Sequence, residues 1–172
     1  DLAVKESSRL IRNISKISNN GFDNFRVGIS CNIEPHTPYF PFAYHAGSDG
    51  FSLALEIVDE LLEIAEKNVG NGLDSVRVCM LEYLTRNLRD IDTIGKNIES
   101  ETGIKFLGLD ASLAPFPNGD TSVAKLVEVL GVEDFGSNGS LFITSYLTDI
   151  IKTSLAKSGV RYVGFNGVMY SL

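Results

Sequence analysis

Three short apolar runs, widely spaced and poor in charge, constrain the fold most: FRVGISCNI at Phe25 to Ile33, IKFLGL at Ile104 to Leu109, and VRYVGF at Val160 to Phe165. β-Branched and aromatic residues dominate them, which suits strands buried on both faces. Long stretches with helical periodicity separate them, and a crossover of that length joins parallel strands. The expected class is therefore α/β, with parallel strands and helical crossovers, and residues 1–172 form a single α/β segment.

The helices follow from the spacing of apolar residues. Leu2, Ile11, Ile14 and Ile17 predict a first helix over Leu2 to Ser18. Phe51, Ala54, Leu55, Val58, Leu61, Leu62 and Ala65 predict a second over Phe51 to Lys67, with Glu56, Asp59, Glu63 and Glu66 away from the stripe. Asp74 can cap a longer helix carrying Leu81, Leu84, Leu88, Ile91, Gly95 and Ile98, which Gly103 ends. Asp120, Thr121 or Ser122 can cap a short helix over Val123 to Leu130, and a last helix runs from Leu141 to Lys157 and stops at Gly159. Between the first strand and the second helix, EPHTPYFPFAYHAGSDG has three prolines that forbid a continuous helix or central strand, so Glu34 to Gly50 reads as an ordered loop.

Composition narrows the partners. With 15 basic against 22 acidic residues and a net charge of −7, the chain is unsuited to nucleic acid or anionic membrane surfaces. No apolar stretch approaches the roughly 20 residues that span a bilayer, and the expected location is cytoplasmic. Cys31 and Cys79 lack CxxC spacing and read as two buried free thiols. The chain lacks an initiator Met, opens inside a helix and stops just after a strand. Three parallel strands also leave edges that need covering, so the expectation is a piece of a larger sheet or barrel.

In parallel α/β folds, ligands bind at the loops after the C-terminal strand ends. Three such loops carry polar groups: Glu34, His36 and His45; then Asp110, Ser112 and Asp120; then Asn166 and Gly167. His45 is the candidate acid or base, because imidazole titrates near neutrality, with Glu34 and Asp110 as orienting or metal-binding carboxylates. Ser112, Asp120 and Asn166 are candidate ligand contacts. Ser137 and Asn138, in GSNGS before the last helix, could offer backbone N–H groups to an anion. Against these stand plainer roles: strand-end carboxylates cap loops, and GSNGS makes an ordinary tight turn. The aromatics Tyr39, Phe40, Phe42 and Tyr44 read as loop packing. No GxSxG, HExxH or P-loop spacing names a reaction or a cofactor, and any metal is left unknown.

Two segments carry a family resemblance: GIKFLGLDASLAPFPNGDTSVAKLVEVLGVEDFGSNGS, from Gly103 to Ser140, and PYFPFAYHAG, from Pro38 to Gly47. They resemble domain-of-unknown-function family 711, most specifically at Asp110, Ser112, Leu113, Ala114, Pro115 and Pro117, then Asp120, Ser122, Val123 and Ala124. The resemblance implies a pyruvate formate-lyase-like fold, a ten-stranded β/α barrel, and bacterial members roughly twice this length. No stretch matches a glycyl radical loop. Fold alone does not carry function, which leaves an enzyme acting on a small polar metabolite without glycyl radical chemistry, or a non-catalytic small-molecule-binding or regulatory protein. A homo-oligomer assembled through the acidic helix faces is a third reading with weaker motivation.

Overall fold

A computed structural model describes residues 2–17, 47, 49–114 and 121–170 of the chain. It is a mixed α/β structure, mostly helical, in the order α1 (Leu2–Ile17), β1 (Gly50–Ala54), α2 (Val58–Asn68), a single 3₁₀ turn (Val69–Asn71), α3 (Leu73–Thr102), β2 (Lys105–Asp110), α4 (Val123–Val129) and α5 (Ser140–Ser158). The expected strand at 25–33 and nearly all of the expected loop at 34–50 lie outside the described residues, although Gly50 already belongs to β1.

β1 corrects the sequence reading. Phe51 to Ala54 was expected to begin a helix, yet Gly50 to Ala54 is extended and pairs in parallel with β2, from Gly50 opposite Lys105 to Ala54 opposite Asp110. The sequence is ambiguous here because Phe51, Leu53, Leu55 and Ile57 alternate with the period of a strand, while Phe51, Ala54, Leu55 and Val58 follow that of a helix. Tertiary pairing decides between them. β2 supplies partners for the extended backbone, including the Asp110 carbonyl that accepts from the Leu55 N–H at 3.1 Å, and the Phe51 ring packs on Phe106 at 5.3 Å. The helical stripe holds only from Val58 onward, where Val58, Leu61, Leu62 and Ala65 are buried.

α3 occurs where its stripe placed it and ends at Gly103, whose φ of 72° is the left-handed cap. The other end differs. Gly72 precedes the helix with no side-chain cap, so Asp74 sits in the first turn rather than capping it. The buried line runs Val76, Met80, Leu84, Leu88, Asp92 and Gly95, one turn earlier than expected and ending before Ile98. α4 starts at the Ser122 cap, whose Oγ accepts from the Lys125 N–H at 3.1 Å. α1 forms as expected, but of its four stripe residues only Ile14 is buried.

α3 and α5 lie side by side in the same direction, as expected of successive crossovers on one face of a parallel sheet. Three contacts in the same order along both helices establish this. The Tyr146 hydroxyl donates to the Leu73 carbonyl at 2.6 Å, Arg77 pairs with Asp149 at 2.5 Å, and Arg89 donates to the carbonyls of Lys157 at 2.9 Å and Ser158 at 3.2 Å. Arg89 thereby satisfies carbonyls that the end of α5 would otherwise leave open. β2 lies beneath α3, with Phe106 fully buried against Gly95.

Gly95 is there for space. A Cβ at this position would stand 2.6 Å from the Phe106 ring. In an exposed helix, Gly→Ala stabilises by about 1 kcal/mol, but overpacking a core typically costs about 1–3 kcal/mol. Gly95→Ala is therefore expected to lower the stability read by urea unfolding, against the sign of helix propensity.

The Tyr146 hydroxyl also makes the helix pair sensitive to alkali. Burial raises its pKa from 10.0 to about 12, Arg77 opposes the rise and Asp74 adds to it. A folded-state pKa above the unfolded one stabilises fully below pH 10, and that contribution is lost as pH rises through about 12. Urea unfolding across this window should show stability falling with pH, and a shallower fall for Tyr146→Phe. The slope should not vanish, because burial also raises the pKa of Tyr83.

Candidate functional site

The third expected strand, Val160 to Phe165, is not continuous. Two isolated parallel bridges replace it, Leu109 with Tyr162 and Leu113 with Val168. Between them the chain takes four steps along the Leu109 side and six along the other, so two residues have no opposite number. Gly164 at φ 85° and Asn166 at φ 51° turn the excess aside. Positive φ breaks an extended ladder, and asparagine is among the few non-glycine residues that adopt it readily.

Side chains close the gap. Below it the ladder is ordinary: the Leu109 N–H donates to the Arg161 carbonyl and the Val163 N–H to the Leu109 carbonyl. The Asn166 amide then inserts itself as a peptide group would, with Oδ1 accepting from the Ala111 N–H at 2.9 Å and Nδ2 donating to the Val163 carbonyl at 2.9 Å. The Asp110 carboxylate takes the next two donors, Oδ1 from the Ser112 N–H and Oδ2 from the Phe165 N–H, both at 2.8 Å. Ser112 Oγ accepts from the Gly167 N–H at 3.3 Å. Above it the ladder resumes through Leu113 to the Gly167 carbonyl and Met169 to the Leu113 carbonyl.

Three of the eight sequence-derived candidates, Asp110, Ser112 and Asn166, thus converge at the end of β2, each at most 5% exposed. Their oxygens and the Asn166 amide hold backbone, and Gly167 completes the arrangement. A Cβ there would stand 2.5 Å from the Phe165 ring, so only glycine lets that half-exposed ring lie over the strand. Sequence reasoning overlooked Phe165; its signal was an aromatic directly before an Asn-Gly pair at a strand end.

Glu34, His45 and Asp120 lie outside the described residues, as do His36 and the aromatics from Tyr39 to Tyr44. Ser137 and Asn138 are exposed in the turn before α5. That turn uses much of its own backbone: the Ser137 N–H donates to the Asp134 carbonyl, the Ser140 N–H to the Ser137 carbonyl, and the Gly136 N–H to Ser140 Oγ. Neither residue hydrogen-bonds to Asp110, Ser112 or Asn166. Tyr170 ties the two regions together instead, its ring tilted against that of Phe135 with centroids 4.6 Å apart and its hydroxyl sharing a 2.6 Å hydrogen bond with Thr144 Oγ1. Thr144 already donates to the Ser140 carbonyl, so Tyr170 is the donor of that bond. Among the described residues, no three of His, Cys, Asp and Glu gather as a metal site would require, and no helix is long and apolar enough to cross a membrane. Cys79 is a free thiol, half-buried rather than buried as expected.

The fold and this strand end define a parallel α/β protein whose ladder is completed by polar side chains at the C-terminal edge of its sheet. The family model "Uncharacterised ACR (DUF711)" matches residues 2–172, and the chain belongs to that family. Among similar relatives, the "UPF0210 protein" of Sulfurisphaera tokodaii is 27% identical over 130 residues, covering 74% of this chain and 29% of the relative. That of Pyrobaculum aerophilum is 25% identical, covering 83% and 32%, and that of Methanocaldococcus jannaschii 24%, covering 94% and 36%. The chain spans about a third of the length of these curated relatives.

Removing the Asp110 carboxylate strands two N–H donors, and each unsatisfied buried group costs about 1–3 kcal/mol. Asp110→Ala and Asn166→Ala are therefore expected to lower the unfolding free energy measurably, whereas Asn138→Ala, on an exposed turn, should change it little. A melting temperature unchanged in Asp110→Ala would contradict these hydrogen bonds.

Proposed function

We propose that this chain is one sector of a larger pyruvate formate-lyase-like β/α barrel, cytoplasmic, that binds a small polar or anionic molecule at the C-terminal end of its parallel strands. The observation that carries this reading is the convergence of Asp110, Ser112 and Asn166 where β2 and its neighbour part. Irregular pairing of this kind is enriched beside active sites, and parallel sheets bind ligands at this edge. The parallel pairing of β1 with β2 and the greater length of the relatives support a continuing sheet.

In this proposal Asp110 is a positioning residue. Its two oxygens fix the backbone of Ser112 and Phe165 and so set the shape of the site. His45 is the proposed acid or base, Glu34 an orienting or metal-binding carboxylate, and Asp120 a ligand contact, all on loops that follow strands in the sequence. Such a site supports either turnover of a metabolite or binding without chemistry. The second is favoured by one observation: the polar atoms of Asp110 and Asn166 are engaged with backbone rather than left for a substrate.

A thermal-shift screen of the intact protein against small carboxylates, phosphates and amino acids tests the proposal, since a ligand that binds only the native state raises its melting temperature. A stabilising compound is expected, with the shift lost in His45→Ala while that variant melts normally without ligand. Product formation from the same compound would establish an enzyme, and its absence a binding protein. If no compound of these classes stabilises the protein, or if His45→Ala responds as the parent does, the proposed site is wrong.

A further inference from the structure

The sequence holds five Asn-Gly pairs, at residues 20–21, 71–72, 118–119, 138–139 and 166–167. Asn-Gly is the dipeptide most prone to spontaneous deamidation, because glycine leaves its backbone nitrogen free to attack the neighbouring amide. The reaction needs that nitrogen deprotonated and the Asn side chain able to swing onto it. A hydrogen bond from the glycine N–H opposes the first requirement, and a fixed side-chain amide opposes the second.

The three described pairs differ in both respects. In Asn166–Gly167 the amide is held by Ala111, Val163 and, at 3.4 Å, Gly164, the Gly167 N–H donates to Ser112 Oγ, and Asn166 is buried. In Asn71–Gly72 the Asn is exposed, but the Gly72 N–H donates to the Val69 carbonyl at 2.9 Å. In Asn138–Gly139 neither restraint applies. The Ser140 N–H to Ser137 carbonyl bond closes a turn with Asn138 and Gly139 at its centre, and Gly139 has φ 102° and ψ −22°, close to the third position of a type II turn. That geometry directs the Gly139 N–H outward, and neither it nor the exposed Asn138 side chain has a hydrogen-bond partner among the described residues.

We infer that Asn138 is a spontaneous modification site, converted to aspartate and isoaspartate as the protein ages, and that the strand-end network protects Asn166 from the same chemistry. The Gly139 nitrogen, having lost its proton to solvent, attacks Asn138 Cγ; the new C–N bond closes a succinimide, the bond to Nδ2 breaks, and the amide nitrogen leaves as ammonia. Water then opens the ring at either carbonyl, giving aspartate or isoaspartate, with no oxidant or cofactor. The aspartate product places a negative charge in the turn that leads into α5, where the helix dipole favours it, so the fold survives the change. The inference is independent of the ligand proposed above.

The test is to age the intact protein at mildly alkaline pH and map isoaspartate peptide by peptide with an isoaspartyl methyltransferase, beside a sample aged in urea. In urea all five pairs should react. In the native sample Asn138 should react about tenfold or more faster than Asn166, since each tenfold of protection corresponds to about 1.4 kcal/mol of local opening free energy. Asn138→Gln should remove the fast signal and no other, and Asn138→Asp should melt like the parent. The inference is overturned if Asn166 or Asn71 reacts as fast as Asn138 in the native protein, or if Asn138 is stable there while reacting in urea.

Discussion

Backbone groups buried at the edge of a sheet must find partners, and the C-terminal part of this structure is organised by that requirement. Two extra residues between the Leu109 and Leu113 bridges would leave several N–H and C=O groups facing nothing. Asn166 supplies one donor and one acceptor in the geometry of a peptide unit, and Asp110 supplies two acceptors. Because the carboxylate is charged, its hydrogen bonds to backbone N–H groups are stronger than neutral ones, which suits a position that must fix two strands. Pairing therefore resumes at Leu113 and carries Tyr170 to α5.

The helical layer has a different logic. α3 and α5 are joined by apolar burial along their facing sides, with polar contacts at intervals: Tyr146 at the start of α3, Arg77 with Asp149 midway, and Arg89 closing the end of α5. The partly exposed Arg77–Asp149 pair adds little free energy. Tyr146 and Arg89 matter more, since they reach backbone carbonyls and fix the offset of the two helices. Gly95 then allows α3 to approach the sheet closely enough for Phe106 to be fully buried.

For function, the arrangement separates two kinds of polar residue that look alike in the sequence. Asp110 and Asn166 are buried and spent on backbone, so their contribution to any ligand site is the shape of the loops they hold. The groups proposed above for chemistry, Glu34, His45 and Asp120, lie outside the described residues. Membership of an uncharacterised family names no reaction, so the functional proposal rests on the geometry of the strand ends.

The sequence alone determined α1, α3, α4 and α5 to within a residue or two, because apolar spacing over many turns and a glycine or serine at the ends are local signals that packing rarely overrides. It also determined that β2 is a strand, that pairing is parallel, and that Asp110 stands at the end of β2. Tertiary structure decided the rest. Phe51 to Ala54 fits two periodicities, and only hydrogen bonds to β2, more than fifty residues away, made it part of a strand. Val160 to Phe165 reads as one strand, and only the mismatch in length against β2 broke it at Gly164 and Asn166. The role of Asn166 as a substitute peptide could not be read locally, because it depends on which donors and acceptors a distant strand leaves unpaired.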